Sequence, residues 1–118
     1  MHGLSDYVTV VHAKLVSHQI DGEEWKWYDF RSSMKECGEA QMLVIDGPPT
    51  AVQANARDPA VPLLFPYLSS DAVVLLDDSQ RESEQQAVKM WKEKYNFRSV
   101  EYLPLEKGCF SLRINKSA

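Results

Sequence analysis

Two apolar runs in this chain end abruptly in acid. Met42-Leu43-Val44-Ile45 stops at Asp46 and is followed by Gly47-Pro48-Pro49, and Ala72-Val73-Val74-Leu75-Leu76 stops at Asp77-Asp78. Short runs without polar alternation predict strands buried on both faces, the condition of a parallel sheet covered by helices. An earlier segment rich in β-branched and aromatic residues, Tyr7 to His12, predicts a first strand. The stretch from Lys14 to Trp27 has no clean period and reads as a loop, with a turn at Asp21-Gly22 and an aromatic cluster of Trp25, Trp27 and Tyr28 closing over the core. Residues 29 to 36 predict a short helix with Asp29 as its cap and Gly38 just past its end.

Further on, Asp58-Pro59 has the form of a helix start, acid at the cap and proline at the first position, with Val61, Leu64, Phe65 and Leu68 as the apolar face. Pro62 and Pro66 limit that helix to a short or broken one. The clearest periodicity runs from Ser83 to Tyr95, where Ala87, Val88, Trp91 and Tyr95 recur at helical spacing, acids lie early and lysines late. Val100 to Leu103 and Cys109 to Ile114 predict two strands joined as a hairpin through Pro104 to Gly108. Strands separated by helical crossovers run parallel, so the expected fold is α/β: a mostly parallel sheet flanked by helices, closed by a hairpin that adds one antiparallel strand at an edge.

With 118 residues the chain holds one domain with a real core, so residues 1–118 read as a single unit. Apolar residues make up 44% and charged residues 25%, and no apolar run approaches the roughly 20 residues of a membrane span, which predicts a soluble protein off the membrane. The amino terminus has neither a basic segment nor an apolar core, so a cytoplasmic location is expected, and Met1 ahead of the first strand reads as the start of a short complete reading frame. A net charge of −4 with scattered Lys and Arg excludes phosphate-backbone wrapping, hence nucleic acid as a partner. Cys37 and Cys109 are far apart, belong to no zinc pattern, and read as reduced structural thiols.

In open α/β sheets the chemistry sits beyond the carboxyl ends of the strands, which singles out Asp46, Asp77 and Asp78. Asp46 is a candidate general base or metal ligand, or else a cap on the turn at Gly47-Pro48. Asp77-Asp78-Ser79 has the composition of a helix start. Arg57 and Arg81, near the two strand ends, are candidates to hold an anionic acceptor, or else solvated surface.

The strand end Ile45-Asp46-Gly47-Pro48-Pro49, the strand end Val74-Leu75-Leu76-Asp77-Asp78 and the closing hairpin resemble the class I S-adenosylmethionine-dependent methyltransferases. The resemblance is to the second half of that fold: Val8 to His12 as its third strand, Met42 to Asp46 as the fourth, Ala72 to Asp77 as the fifth, and the hairpin as the sixth and seventh. The stretch from Ala56 to Leu64 resembles the helix between strands four and five of bacterial members. The implied fold is a truncated Rossmann-like methyltransferase sheet. The implied cofactor is S-adenosylmethionine, with His12, Asp46 and Pro48 on its side of the cleft and Asp46 and Asp78 as catalytic groups; Asp78 and Ser79 resemble the magnesium-binding pair of catechol-type members, and with Asp46 they would offer three oxygen ligands to a hard cation such as Mg²⁺. The glycine-rich turn and the ribose-binding acid of the family's first two strands have no counterpart in this chain, and Ser70-Asp71 stands where family members often carry a glycine pair.

Three functions follow as expectations. One is a methyltransferase-like domain, inactive alone and completed by a complementing chain or by self-association as a homodimer. Another is a non-catalytic module that binds a small molecule, or assembles copies, through the same cleft. The third is a small active enzyme with a rebuilt cofactor site.

Overall fold

The computed structural model describes residues 8–49 and 53–116. Its elements run in the order β1 (Leu15–Ile20), β2 (Glu23–Tyr28), α1 (Arg31–Cys37), β3 (Ala40–Ile45), α2 (Ala60–Leu64) with a 3₁₀ turn at Phe65–Tyr67, β4 (Leu68–Asp77), α3 (Glu82–Lys94), β5 (Phe97–Leu103) and β6 (Cys109–Ile114). The strands form two sheets: an antiparallel pair β1-β2, and a four-stranded sheet in the order β3-β4-β6-β5. Within the larger sheet only β3 and β4 pair parallel, while β6 runs antiparallel to both β4 and β5.

This overturns the expected mostly parallel, Rossmann-like sheet. Residues 8–14 carry no strand, so the third strand of the resemblance is missing; Tyr7 lies outside the described residues. The stretch from Lys14 to Trp27, expected as a loop, instead falls almost wholly in a hairpin of β1 and β2. Asp21 and Gly22 both take positive φ, 51° and 84°, and Ile20 pairs directly with Glu23, which is the two-residue turn that Asp-Gly favours between antiparallel strands. The closing hairpin also differs from expectation: its antiparallel strand β6 lies inside the sheet and β5 forms the edge.

The core lies on one face of the four-stranded sheet. Side chains alternate across a strand, and the registers place Leu43 beside Val74 and Leu112, and Ile45 beside Leu76 and Phe110. Against that face pack Ala60, Val61 and Leu64 of α2, Ala87, Val88 and Trp91 of α3, and Trp27 and Phe30 from the first hairpin and its exit. The opposite face carries Met42 and Val44, 57% and 61% exposed, next to half-buried Val73 and Leu75. A sheet covered on both sides was expected; the structure is two-layered, and its apolar β3-β4 runs are buried on one side.

Helix α3 is amphipathic as its sequence predicts, with Glu82 and Glu84 in its first turn and Lys92 and Lys94 in its last. Helix α1 ends at Gly38 with φ 73°, the left-handed stop expected there. The cap assignments differ, however: Phe30 and Pro59 occupy the N-cap positions of α1 and α2, and neither Asp29 nor Asp58 makes a side-chain cap. Asp58 is buried, and its backbone carbonyl accepts from the indole of Trp91 on α3.

Candidate functional site at the carboxyl ends of β3 and β4

Because β3 and β4 are parallel neighbours with Ile45 opposite Leu76, their carboxyl ends release Asp46 and Asp77-Asp78 side by side. Carboxylate oxygens of Asp46, Asp77 and Asp78 lie within 4.8 Å of one another. Asp78 takes φ 57°, an uncommon left-handed conformation that aspartate tolerates better than most residues, and its carboxylate is 11% exposed.

Sequence reasoning singled out Arg57 but missed its burial and its pairing with the acids. Its side chain is 5% exposed, and it reaches from the turn before α2 to the strand ends, where Nη1 donates to the carbonyl of Asp77 at 3.0 Å and to Oδ2 of Asp78 at 3.2 Å. Its Nη2 lies 3.8 Å from Oδ1 of Asp46. Arg81 adds a second guanidinium 3.6 Å from the same Asp78 oxygen. Three crowded carboxylates repel one another, and Arg57 supplies the compensating charge that a buried acid requires. No periodicity or motif marks Arg57, since its reach depends on the fold of residues 53–59 over the sheet end.

The same geometry weighs on the metal set of Asp46, Asp78 and Ser79. Ser79 is fully buried; its hydroxyl donates to the carbonyl of Leu76 at 2.6 Å and accepts from the amide of Phe110 at 3.1 Å. Those bonds tie the end of β4 to β6, and the third clustered oxygen donor comes from Asp77. Such a triad has the chemistry to hold a hard cation, but Asp78 already shares its Oδ2 between two arginines.

Beside the acids opens a cleft of about 340 Å³, lined by Trp27, Tyr28, Phe30, Met34, Leu43 and Leu64 and reaching Asp46 and Gly47. It is a largely apolar trough with a carboxylate at one end, the usual make-up of a small-molecule site. Gly47 and Tyr28 meet here: a Cβ on Gly47 would stand 2.7 Å from the Tyr28 hydroxyl oxygen. Pro48, joined to Gly47 by a cis peptide bond, is fully buried. His12, expected on the cofactor side, is exposed in the segment ahead of β1 and lines no part of the cleft. His18 is a structural histidine, buried at 6% exposure, with Nε2 at 3.1 Å from the carbonyl of Tyr28 and its ring stacked on Phe30.

The aromatic cluster divides between roles. Trp27 joins the core, Tyr28 lines the cleft, and Trp25 faces a separate pocket near the hairpin turn. Cys109 is a free thiol pushed above its ordinary pKa by burial and by the nearby charge of Asp77, which keeps it protonated and unreactive. Among the described residues no helix is long and apolar enough to cross a membrane. Comparison with protein-family models, with curated proteins and with solved structures returns no match, so the function is argued from the site itself.

Proposed function

We propose that this chain is a small-molecule-binding α/β domain whose ligand lies in the cleft beside β3, its apolar or aromatic body over Trp27, Phe30, Leu43 and Leu64 and a hydrogen-bond-donating head between Asp46 and Tyr28. The observation that carries this reading is the meeting of the apolar trough with an exposed carboxylate at the carboxyl end of a strand. Asp46 is 69% exposed, only loosely paired and the one of the three acids that lines the cleft, so it can accept from a ligand. Arg57, bonded to the Asp78 carboxylate and to the backbone carbonyl of Asp77, holds the end of β4 in place.

The test is a nuclear magnetic resonance titration of the full chain with benzylamine and benzyl alcohol, alongside S-adenosylmethionine and S-adenosylhomocysteine. Shifts gathered on Trp27, Phe30, Leu43 and Gly47, weakened by Asp46→Asn for benzylamine, support the binding reading. Scattered or absent shifts with all four compounds sink it. Binding of S-adenosylmethionine would instead favour methyl transfer, the activity implied by resemblance, with Asp46 facing the acceptor.

A second reading is assembly. Strand β3 is an edge of its sheet and exposes Met42 and Val44 beside Val73 and Leu75, an apolar strip on a face that no described helix covers. A second copy is the occupant that fits, because a two-fold axis between two stacked copies lays the same apolar residues on themselves. Sedimentation velocity across a hundredfold concentration range checks it: a dimer that Val44→Lys dissociates is expected, and a constant monomer mass removes this reading.

A further inference from the structure

A second pocket lies away from the cleft, between the turn of the β1-β2 hairpin and helices α2 and α3. Its volume is about 90 Å³, and it shares no residue with the cleft. Ile20, Trp25, Pro62 and Met90 give it an apolar wall, and Asp21, Glu23, Asp58 and Lys94 give it charge. Asp58 is its only buried lining residue, 8% exposed, and so forms the floor.

Two features make that floor chemically unfinished. Among the described residues, Oδ1 of Asp58 is buried without a hydrogen-bond partner and no Lys or Arg pairs with this carboxylate. The one cation in the lining, Lys94, is bonded at the rim to Asp21. Glu84, itself 1% exposed, adds its negative charge to that of Asp58, and the Arg81 that pairs with Glu84 lies 3.8 Å from it. A buried carboxylate left this way is costly, and a bound cation relieves it.

From this geometry we infer that the pocket is a binding site for a small organic ammonium ion, its charged nitrogen on Asp58 and its short alkyl chain against Trp25, Ile20, Pro62 and Met90. The volume matches about three waters at ~30 Å³ each, room for a short primary amine and too little for an aromatic ring with a tail. A hydrated divalent ion is a poor occupant, because hard cations need several oxygens and this wall is mostly carbon. An ammonium gains from both the carboxylate and the indole face. Burial, with the charge of Glu84 adding to it, pushes the Asp58 carboxyl up to about 6, so the acid is ionised and ready at neutral pH. Asp21 and Glu23 from the hairpin and Lys94 from α3 complete the charges that face it.

The experiment titrates the isotope-labelled full chain with n-butylammonium chloride, and with n-butanol as the neutral match. Saturable shifts at Ile20, Trp25, Asp58 and Met90 with the ammonium, and none with the alcohol, are expected. Asp58→Asn should weaken the affinity more than about tenfold, and lowering the pH from 7.5 to 5 should weaken it about tenfold as Asp58 protonates. Equal response to butanol, shifts located elsewhere, or affinity indifferent to pH across that range would overturn the proposal. The pH arm uses the unaltered protein, so the outcome does not rest on the variant folding. Shifts confined to this pocket also separate the result from the cleft reading.

Discussion

Trp91 donates its indole N–H to the backbone carbonyl of Asp58 at 2.9 Å, and this bond ties α3 to the turn that serves both candidate sites. Adjacent residues of that turn part company: Arg57 reaches to the strand ends at the cleft, and Asp58 forms the floor of the second pocket. Trp91 is fully buried, so Trp91→Phe removes the donor and leaves a buried carbonyl unpaired. The expected loss is about 1–3 kcal/mol in urea unfolding. If the turn is the shared support, butylammonium binding at the second pocket weakens in the same variant; full affinity in a destabilised protein would show that the turn holds its shape without the bond.

Arg57 acts as the resident cation of the acid cluster, and replacing it exposes what the cluster can do. Arg57→Gln leaves Asp78 buried without its nearest guanidinium, with an expected cost of about 3 kcal/mol, the low end for breaking a buried pair. The three carboxylates then keep only the half-exposed Arg81 as a counter-charge, so millimolar Mg²⁺ should raise the melting temperature of the variant and leave that of the natural chain nearly unchanged. A natural chain that responds as strongly to Mg²⁺ would mean that the ion binds despite Arg57, and would return the cluster to the metal role that its sequence suggests.

Asp58 sets a pH dependence whose sign follows from its raised pKa. Its carboxyl moves from 3.8 to about 6 on folding, chiefly through burial, so the native state holds the proton more tightly than the unfolded chain. Stability from this group is therefore full below pH 3.8 and lost as pH rises through the window to about 6. Asp58→Asn mimics the protonated acid. It should stabilise the protein at pH 7.5 by at most about 3 kcal/mol, from ~1.4 kcal/mol per pH unit across that window, and by little near pH 4. A variant that is more stable and has lost the ammonium site is the signature of a residue kept for binding; equal destabilisation at both pH values would place Asp58 in a structural role.

What the sequence made legible follows from which forces are local. The periodic run around Trp91 predicts α3, and the two apolar runs predict β3 and β4 with Asp46 and Asp77-Asp78 at their ends, because each pattern is written in neighbouring residues. The Asp21-Gly22 turn was also legible, but its strands were not: Glu23, Glu24 and Lys26 alternate with Trp25 and Trp27, and charge obscured a period of two. Tyr7 to His12 has strand composition without a strand in its described part, since propensity yields where no partner strand is available. Apolar runs do not say how many faces are covered, so the open face of Met42 and Val44 was read as buried. Arg57 and Asp58 gain their roles from contacts 20 to 33 residues away along the chain, which no local pattern encodes.

Gly47 and Tyr28 meet in the lining of the cleft, and their contact explains why a residue without a side chain follows Asp46. Gly47→Ala would place its methyl 2.7 Å from the Tyr28 hydroxyl oxygen, closer than two such atoms can stand. Tyr28 is a half-buried ring packed edge-on against Trp27, so it cannot swing aside without disturbing the core. Overpacking of this kind costs about 1–3 kcal/mol. Tyr28→Phe removes the clashing oxygen, and the double variant should recover most of the loss, giving a coupling between the two positions well above the ~0.3–0.5 kcal/mol scatter of independent sites. Thermal unfolding of the four proteins in the cycle measures that coupling. Benzylamine titration of the same four then tells packing from binding: if the Tyr28 hydroxyl helps to hold a ligand head beside Asp46, the double variant regains stability and still binds more weakly than the natural chain.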